Sequence, residues 1–68
     1  MIKKGTIVRI KTTNGGDIVA RLDQNYRRTY DAVIESGNGY TIILADRITS
    51  VEATVLASIK LEAQGSQP

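Results

Sequence analysis

From Thr6 to Thr12 the chain reads Thr-Ile-Val-Arg-Ile-Lys-Thr, rich in β-branched residues and alternating apolar with charged from Val8 onward. A period of two sends successive side chains to opposite faces, so this stretch is a predicted strand. Asn14-Gly15 follows, with a second glycine at 16. That pair supplies the positive φ angles of a tight hairpin turn. Asp17 to Leu22 alternates again, with Ile18, Ala20 and Leu22 on one face and Asp17, Val19 and Arg21 on the other. The first two strands are therefore expected to form a hairpin. Asp23 to Thr29 is polar and has no aliphatic anchor, which predicts a loop.

Tyr30 to Glu35 reads as a third strand, turned at Ser36-Gly37-Asn38-Gly39, and Tyr40 to Ala45 as a fourth. A short fifth strand, Ile48 to Val51, follows the Asp46-Arg47 corner. Residues 52–63 carry two periods at once. Val51, Val55, Ile59 and Ala63 recur every four as a helix stripe, whereas Val55, Ala57, Ile59 and Leu61 alternate with Leu56, Ser58, Lys60 and Glu62 as in a strand. Length and the Ala, Leu, Glu and Lys content favour the helix. Residues 64–68 are expected to be a frayed tail. The pattern predicts one mainly all-β domain over residues 1–63, a small, strongly bent, five-stranded antiparallel barrel of the SH3 type with a C-terminal helix.

The second faces of these strands carry more apolar residues than a solvated sheet needs. With Val8, Ile10, Ile18, Leu22, Ala32, Ile34, Ile42 and Leu44 inside, Ile7, Val19, Val33 and Ile43 point outward. Exposed apolar edges invite pairing with another chain. Self-association through an edge of the fourth or fifth strand is expected, with Ile7, Val19, Val33, Ile43 and Ile48 at the interface. The small size points the same way, because a chain of 68 residues hides only about 60% of its surface on folding. Phe and Trp are absent, and the aromatics are Tyr26, Tyr30 and Tyr40 alone.

The chain has no cysteine and no histidine. Disulfides, zinc-thiolate sites and thiol catalysis are thereby excluded, along with the commonest general base and transition-metal ligand. Asp23, Asp31, Glu35 and Asp46 are in no metal-loop spacing, and no glycine-rich phosphate cradle leads into a helix. No catalytic residue, metal or cofactor is assigned, and no enzyme is expected. Met1-Ile2-Lys3-Lys4 does not open an apolar leader, and no run is long enough to span a bilayer. The expectation is a soluble cytoplasmic protein with neither membrane nor small-molecule partner.

The net charge of +2 is unevenly distributed. Residues 1–28 hold Lys3, Lys4, Arg9, Lys11, Arg21, Arg27 and Arg28 against Asp17 and Asp23, a balance of +5. Residues 29–68 hold Arg47 and Lys60 against Asp31, Glu35, Asp46, Glu52 and Glu62, a balance of −3. Copies assembled with their basic segments on one side would attract a polyanion. The competing reading is a solvated face.

Two stretches resemble the Sm/LSm/Hfq family of RNA-binding rings. Val8-Arg9-Ile10-Lys11-Thr12-Thr13-Asn14-Gly15, followed by Ala20-Arg21-Leu22, is similar to the family's first motif. Ile43-Leu44-Ala45-Asp46-Arg47-Ile48-Thr49-Ser50-Val51 is similar to its second, especially to the Hfq-like version. The resemblance covers about Gly5 to Val51. It implies a closed homo-oligomeric ring of about five to seven copies, made by pairing the fourth strand of one copy with the fifth of the next. The family's helix ahead of the first strand finds no room in residues 1–5, and a helix at 52–63 can cover the same barrel end. So short a form suits a compact viral genome, which implies the host cytoplasm.

The family reads a base with an aromatic, an acid and an asparagine in the loop before the third strand. Matching that loop puts Tyr26 at the first aromatic, Arg27 at the acid, Thr29 at the stacking position and Asp31 at the asparagine. It needs one inserted residue after Leu22. A shift of one gives the stacking role to Tyr30. The basic position after the fourth strand falls on Ala45, with the charge displaced to Arg47. The resemblance thus implies a nucleic-acid site at Tyr30, Asp31, Arg27, Arg28 and Arg47, in which bases stack on rings or guanidinium planes and cations follow the backbone. Asp31 beside Arg47 is either a base-reading pair or a salt bridge that fixes the loop. A carboxylate gives the O4 of uridine no donor, so uridine preference is expected to be weak or altered. The other reading has Tyr26 or Tyr30 capping the core and the arginines paired with Asp23, Asp31 or Asp46.

The expected function is a non-enzymatic ring that binds RNA or single-stranded DNA in nucleic-acid processing or remodelling. The alternative is a structural or adaptor barrel whose oligomer binds another protein. A peptide-binding barrel would need a richer aromatic groove than three tyrosines supply.

Overall fold

The computed structural model describes residues 1–54 of the chain. Within them run five strands, β1 (Ile7–Thr12), β2 (Asp17–Arg21), β3 (Ala32–Ser36), β4 (Gly39–Ile43) and β5 (Ile48–Ala53), with a 3-10 turn at Ala45–Arg47. All pairings are antiparallel, and they make a three-stranded sheet in the order β2-β1-β5 and a two-stranded sheet of β3 and β4. The sequence reading of a mainly β chain holds.

β1 is central, and its alternation decides the core. Val8 lies opposite Ala20 and Ala53, and Ile10 opposite Ile18 and Val51, so both isoleucine and valine are fully buried. Just past β2, Leu22 bridges to Ile34 while the Asp23 N–H donates to the Val33 carbonyl at 2.8 Å. This seam joins the sheets and closes the core over Val8, Ile10, Leu22, Tyr26, Ala32 and Ile34. Each fully buried aliphatic side chain contributes about 1.5–3 kcal/mol. No pairing joins β4 to β5 among the described residues, so the two sheets do not close into a barrel there.

Both hairpins turn where glycines permit. Gly15 has φ +85°, and the Gly16 N–H donates to Thr12 Oγ1 at 2.9 Å. In the second hairpin Ser36 faces Gly39 across a two-residue loop whose first member, Gly37, has φ +55°. Glycine in that place suits the tight turn that matches strand twist.

The short loop also fixes register, and here the expected facing of β4 is overturned. With Ser36 opposite Gly39, Ala32 faces Ile43 and Val33 faces Ile42. Directly opposite residues share a face, so Ile43 packs against the core beside buried Ala32, while Ile42 and Leu44 are each about half exposed (50% and 51%). Ile43 is therefore not an outward residue, and Ile42 and Leu44 do not fill the interior. Ile48 likewise packs against the core.

Strand limits differ as well. β3 begins at Ala32, leaving Tyr30 and Asp31 in the preceding loop, and β4 stops at Ile43 before the 3-10 turn. β5 runs to Ala53 because Glu52 and Ala53 pair with Arg9 and Val8 of the central strand. Partner strands override the helical composition at the start of the 52–63 segment. Residues 55–63 of the expected helix and the 64–68 tail lie outside the described residues.

Candidate functional site

The loop between β2 and β3 is held at several points. Ile2 and Tyr26 exchange backbone hydrogen bonds, the Ile2 N–H to the Tyr26 carbonyl at 2.8 Å and the Tyr26 N–H to the Ile2 carbonyl at 2.7 Å. The Lys4 N–H donates to Asn25 Oδ1 at 2.8 Å, and the Gly5 N–H to the Leu22 carbonyl at 2.9 Å. The N-terminal segment thus acts as an extra strand fragment along the loop, and Tyr26, 8% exposed, is part of the core. Its ring is mostly covered, as the reading in which Tyr26 caps the core expects.

Beyond Tyr26 the chain reverses. The Tyr30 N–H donates to the Arg27 carbonyl at 3.0 Å, and Thr29 sits at φ +78°, the only non-glycine with positive φ among the described residues. A β-branched residue is strained in that region. The turn leaves Arg27, Arg28, Thr29 and Tyr30 all exposed, Tyr30 at 54%.

Asp31 connects this loop to the segment after β4. Its Oδ1 accepts a hydrogen bond from the Ala45 N–H at 2.8 Å, at the start of the 3-10 turn that carries Arg47. The Thr13 N–H in turn donates to the Arg47 carbonyl at 2.9 Å. The two segments that carry the expected site residues are therefore brought together, through Asp31 and a backbone N–H. No ion pair joins Asp31 to Arg47 among the described residues, where the recorded pairs are Arg9–Asp17 and Arg21–Glu35. Arg27, Arg28 and Arg47 have no carboxylate partner among the described residues, and all three are exposed.

A cleft of about 520 Å³ opens between the loop and β5. Tyr26, Ala45, Ile48 and Val51 supply its apolar lining, and Arg28, Thr29, Thr49, Ser50 and Glu52 its polar groups. A shallower groove of about 350 Å³ lies over Val33, Tyr40 and Ile42, rimmed by Asp23, Gln24 and Asp31. Tyr30 and Arg47 line neither. Of the expected interface residues, Val19 is exposed, whereas Ile7 and Val33 are half-buried. The exposed apolar row on β4 and just after it is Tyr40, Ile42 and Leu44.

Sequence reasoning missed Lys3 and Lys4, which the Ile2–Tyr26 pairing carries to the loop, and Ser50 and Glu52, which face the cleft from β5. The pairing of an N-terminal residue with a loop residue leaves no periodic trace. The strand alternation of β5 would have placed Glu52, had the strand been carried past Val51.

No group of three or more acidic residues that could hold a metal ion occurs among the described residues, and no helix there is long and apolar enough to cross a membrane. The chain matches no protein-family model, no curated protein and no solved structure.

Proposed function

We propose that the chain is a non-enzymatic, Sm-like subunit that assembles edge to edge into a homo-oligomeric ring and binds single-stranded RNA or DNA through the Arg27–Asp31 loop and the Ala45–Arg47 turn. The observation that carries this reading is the Asp31–Ala45 hydrogen bond at 2.8 Å, which couples the two segments. Support comes also from the strand order. β5-β1-β2 continues across the Leu22–Ile34 bridge into β3-β4, so β4 and β5 stand at the two ends, with edges unpaired among the described residues. An edge that meets a different edge on the next copy makes a heterologous contact, which closes into a ring when the rotation permits.

In this reading Tyr30 stacks a base and Arg27, Arg28 and Arg47 follow the phosphates, while Asp31 positions the loop. Stacking tolerates any base, and repetition around the ring multiplies weak contacts. Native mass spectrometry with oligo-uridine, oligo-adenine and oligo-thymidine tests it. The expected spectrum is a ring of about five to seven copies carrying one oligonucleotide, with less than tenfold difference between bases. A monomer would refute the ring.

The exposed row of Tyr40, Ile42 and Leu44 favours a second reading, a structural or adaptor oligomer that meets another protein. A ring that ignores every oligonucleotide would select it.

A further inference from the structure

Building on the nucleic-acid reading above, we infer that Lys3 and Lys4 form a second phosphate-binding element, continuous with Arg27 and Arg28 across the Ile2–Tyr26 bridge. The bridge is antiparallel, so Lys3 follows Ile2 on one side and Arg27 follows Tyr26 on the other. Ile2 packs against the core and Tyr26 is buried within it. Lys3 and Arg27 thus each flank the bridge and open a turn, closed by the Thr6 N–H to the Lys3 carbonyl and by the Tyr30 N–H to the Arg27 carbonyl, and both are exposed. Lys4 is held at the same place by its N–H bond to Asn25 Oδ1. All four cations are exposed, and none has a carboxylate partner among the described residues.

Among the described residues neither of the loop's acids pairs with these cations. Asp23 and Asp31 line the groove over Val33 and Ile42, and Asp31 accepts from Ala45. Other cations of the N-terminal half are balanced where they stand: Arg9 pairs with Asp17 and lies opposite Glu52, Lys11 lies opposite Asp17, and Arg21 reaches Glu35. Of the cations left without a carboxylate partner among the described residues, Lys3 and Lys4 follow one side of the Ile2–Tyr26 bridge and Arg27 and Arg28 the other, with Arg47 on the turn after β4. Adjacent like charges repel, and an anion between them offsets that repulsion. A phosphodiester backbone supplies such anions in series.

The test is the salt dependence of oligo-thymidine binding by fluorescence anisotropy. On a single strand each lysine–phosphate contact contributes about 0.7 to the slope of log K against log salt. The double variant K3A/K4A is expected to lower that slope by about 1.4, with K3R/K4R retaining it. Lys11→Ala removes one positive charge from the outer face of β1 and is expected to leave the slope unchanged. Equal slopes for wild type and K3A/K4A, with a reduced slope for R27A/R28A, would overturn this inference and keep the loop reading. A slope lowered as much per charge by Lys11→Ala would also overturn it, because net charge alone would then govern binding. Absence of salt-sensitive binding by the wild-type protein would overturn the nucleic-acid reading itself.

Discussion

Thr29 is where the loop stores strain. Its φ of +78° sits in a region that glycine occupies freely and threonine does not. Relief of that strain by Thr29→Gly is expected to raise stability by about 1 kcal/mol in urea unfolding. A loss of stability would mean that contacts of the threonine side chain outweigh the strain. The two tyrosines flanking the turn separate core from surface. Tyr26→Ala removes a ring from a six-residue core and is expected to cost about 3–5 kcal/mol, enough to unfold so small a domain. Tyr30→Ala is expected to leave the melting temperature within a few degrees and to weaken oligonucleotide binding by about 1–3 kcal/mol. Calorimetry paired with anisotropy reads both, and a Tyr30→Ala protein that binds as tightly as wild type would remove the stacking role.

At the scale of elements, what the sequence revealed depended on whether one face differed from the other. β1 and β2 alternate apolar with polar, and their pairing, turn and inward faces were all readable. β4 was not, because Tyr40, Ile42 and Leu44 on one face compete with Ile43 on the other. The two-residue loop at Gly37 decides between them, and no composition rule does. Tyr30 and Asp31 directly precede β3, so only the turn closed by the Tyr30 N–H shows that they belong to the loop. The two segments that carry the candidate residues are legible in the sequence, whereas the contact that joins them, Asp31 to a backbone N–H, has no sequence signal. The facing of β4 gives a direct prediction. Ile43→Ser is expected to destabilise the fold by about 2 kcal/mol or more, while Ile42→Ser and Leu44→Ser stay within about 0.5 kcal/mol. Chemical denaturation of the three variants checks it, and equal losses at 42 and 43 would contradict the observed register.

Across the whole molecule, the sequence divides into a basic and an acidic half, but the fold does not keep them apart. Strand pairing sets Arg9 against Glu52 and Lys11 against Asp17, and Arg21 reaches Glu35 from the other sheet. These exposed pairs are worth little individually, yet together they cancel the field of the β2-β1-β5 face. Among the described residues, Lys3, Lys4, Arg27 and Arg28 flank the Ile2–Tyr26 bridge, and Arg47 stands on the turn after β4. The apolar row of Tyr40, Ile42 and Leu44 lies on the outer face of the other sheet. If the proposed ring forms along the β4 edge that bears this row, sedimentation is expected to show smaller species for an I42S/L44S variant whose fold is intact. An unchanged oligomer would place the subunit contact elsewhere.

The central position of β1 also sets an order of events during synthesis. β1 and β2 pair through a tight turn and β3 and β4 through a tighter one, so both hairpins close over short loops as soon as they are made. β5 is different: Ile10 meets Val51 across most of the described chain, and Val8 meets Ala53. Until those residues clear the ribosome, one side of β1 has no neighbour and Val8 and Ile10 lack half their cover. The nascent chain is then expected to be a pair of hairpins with an open seam, which β5 closes by pairing with β1.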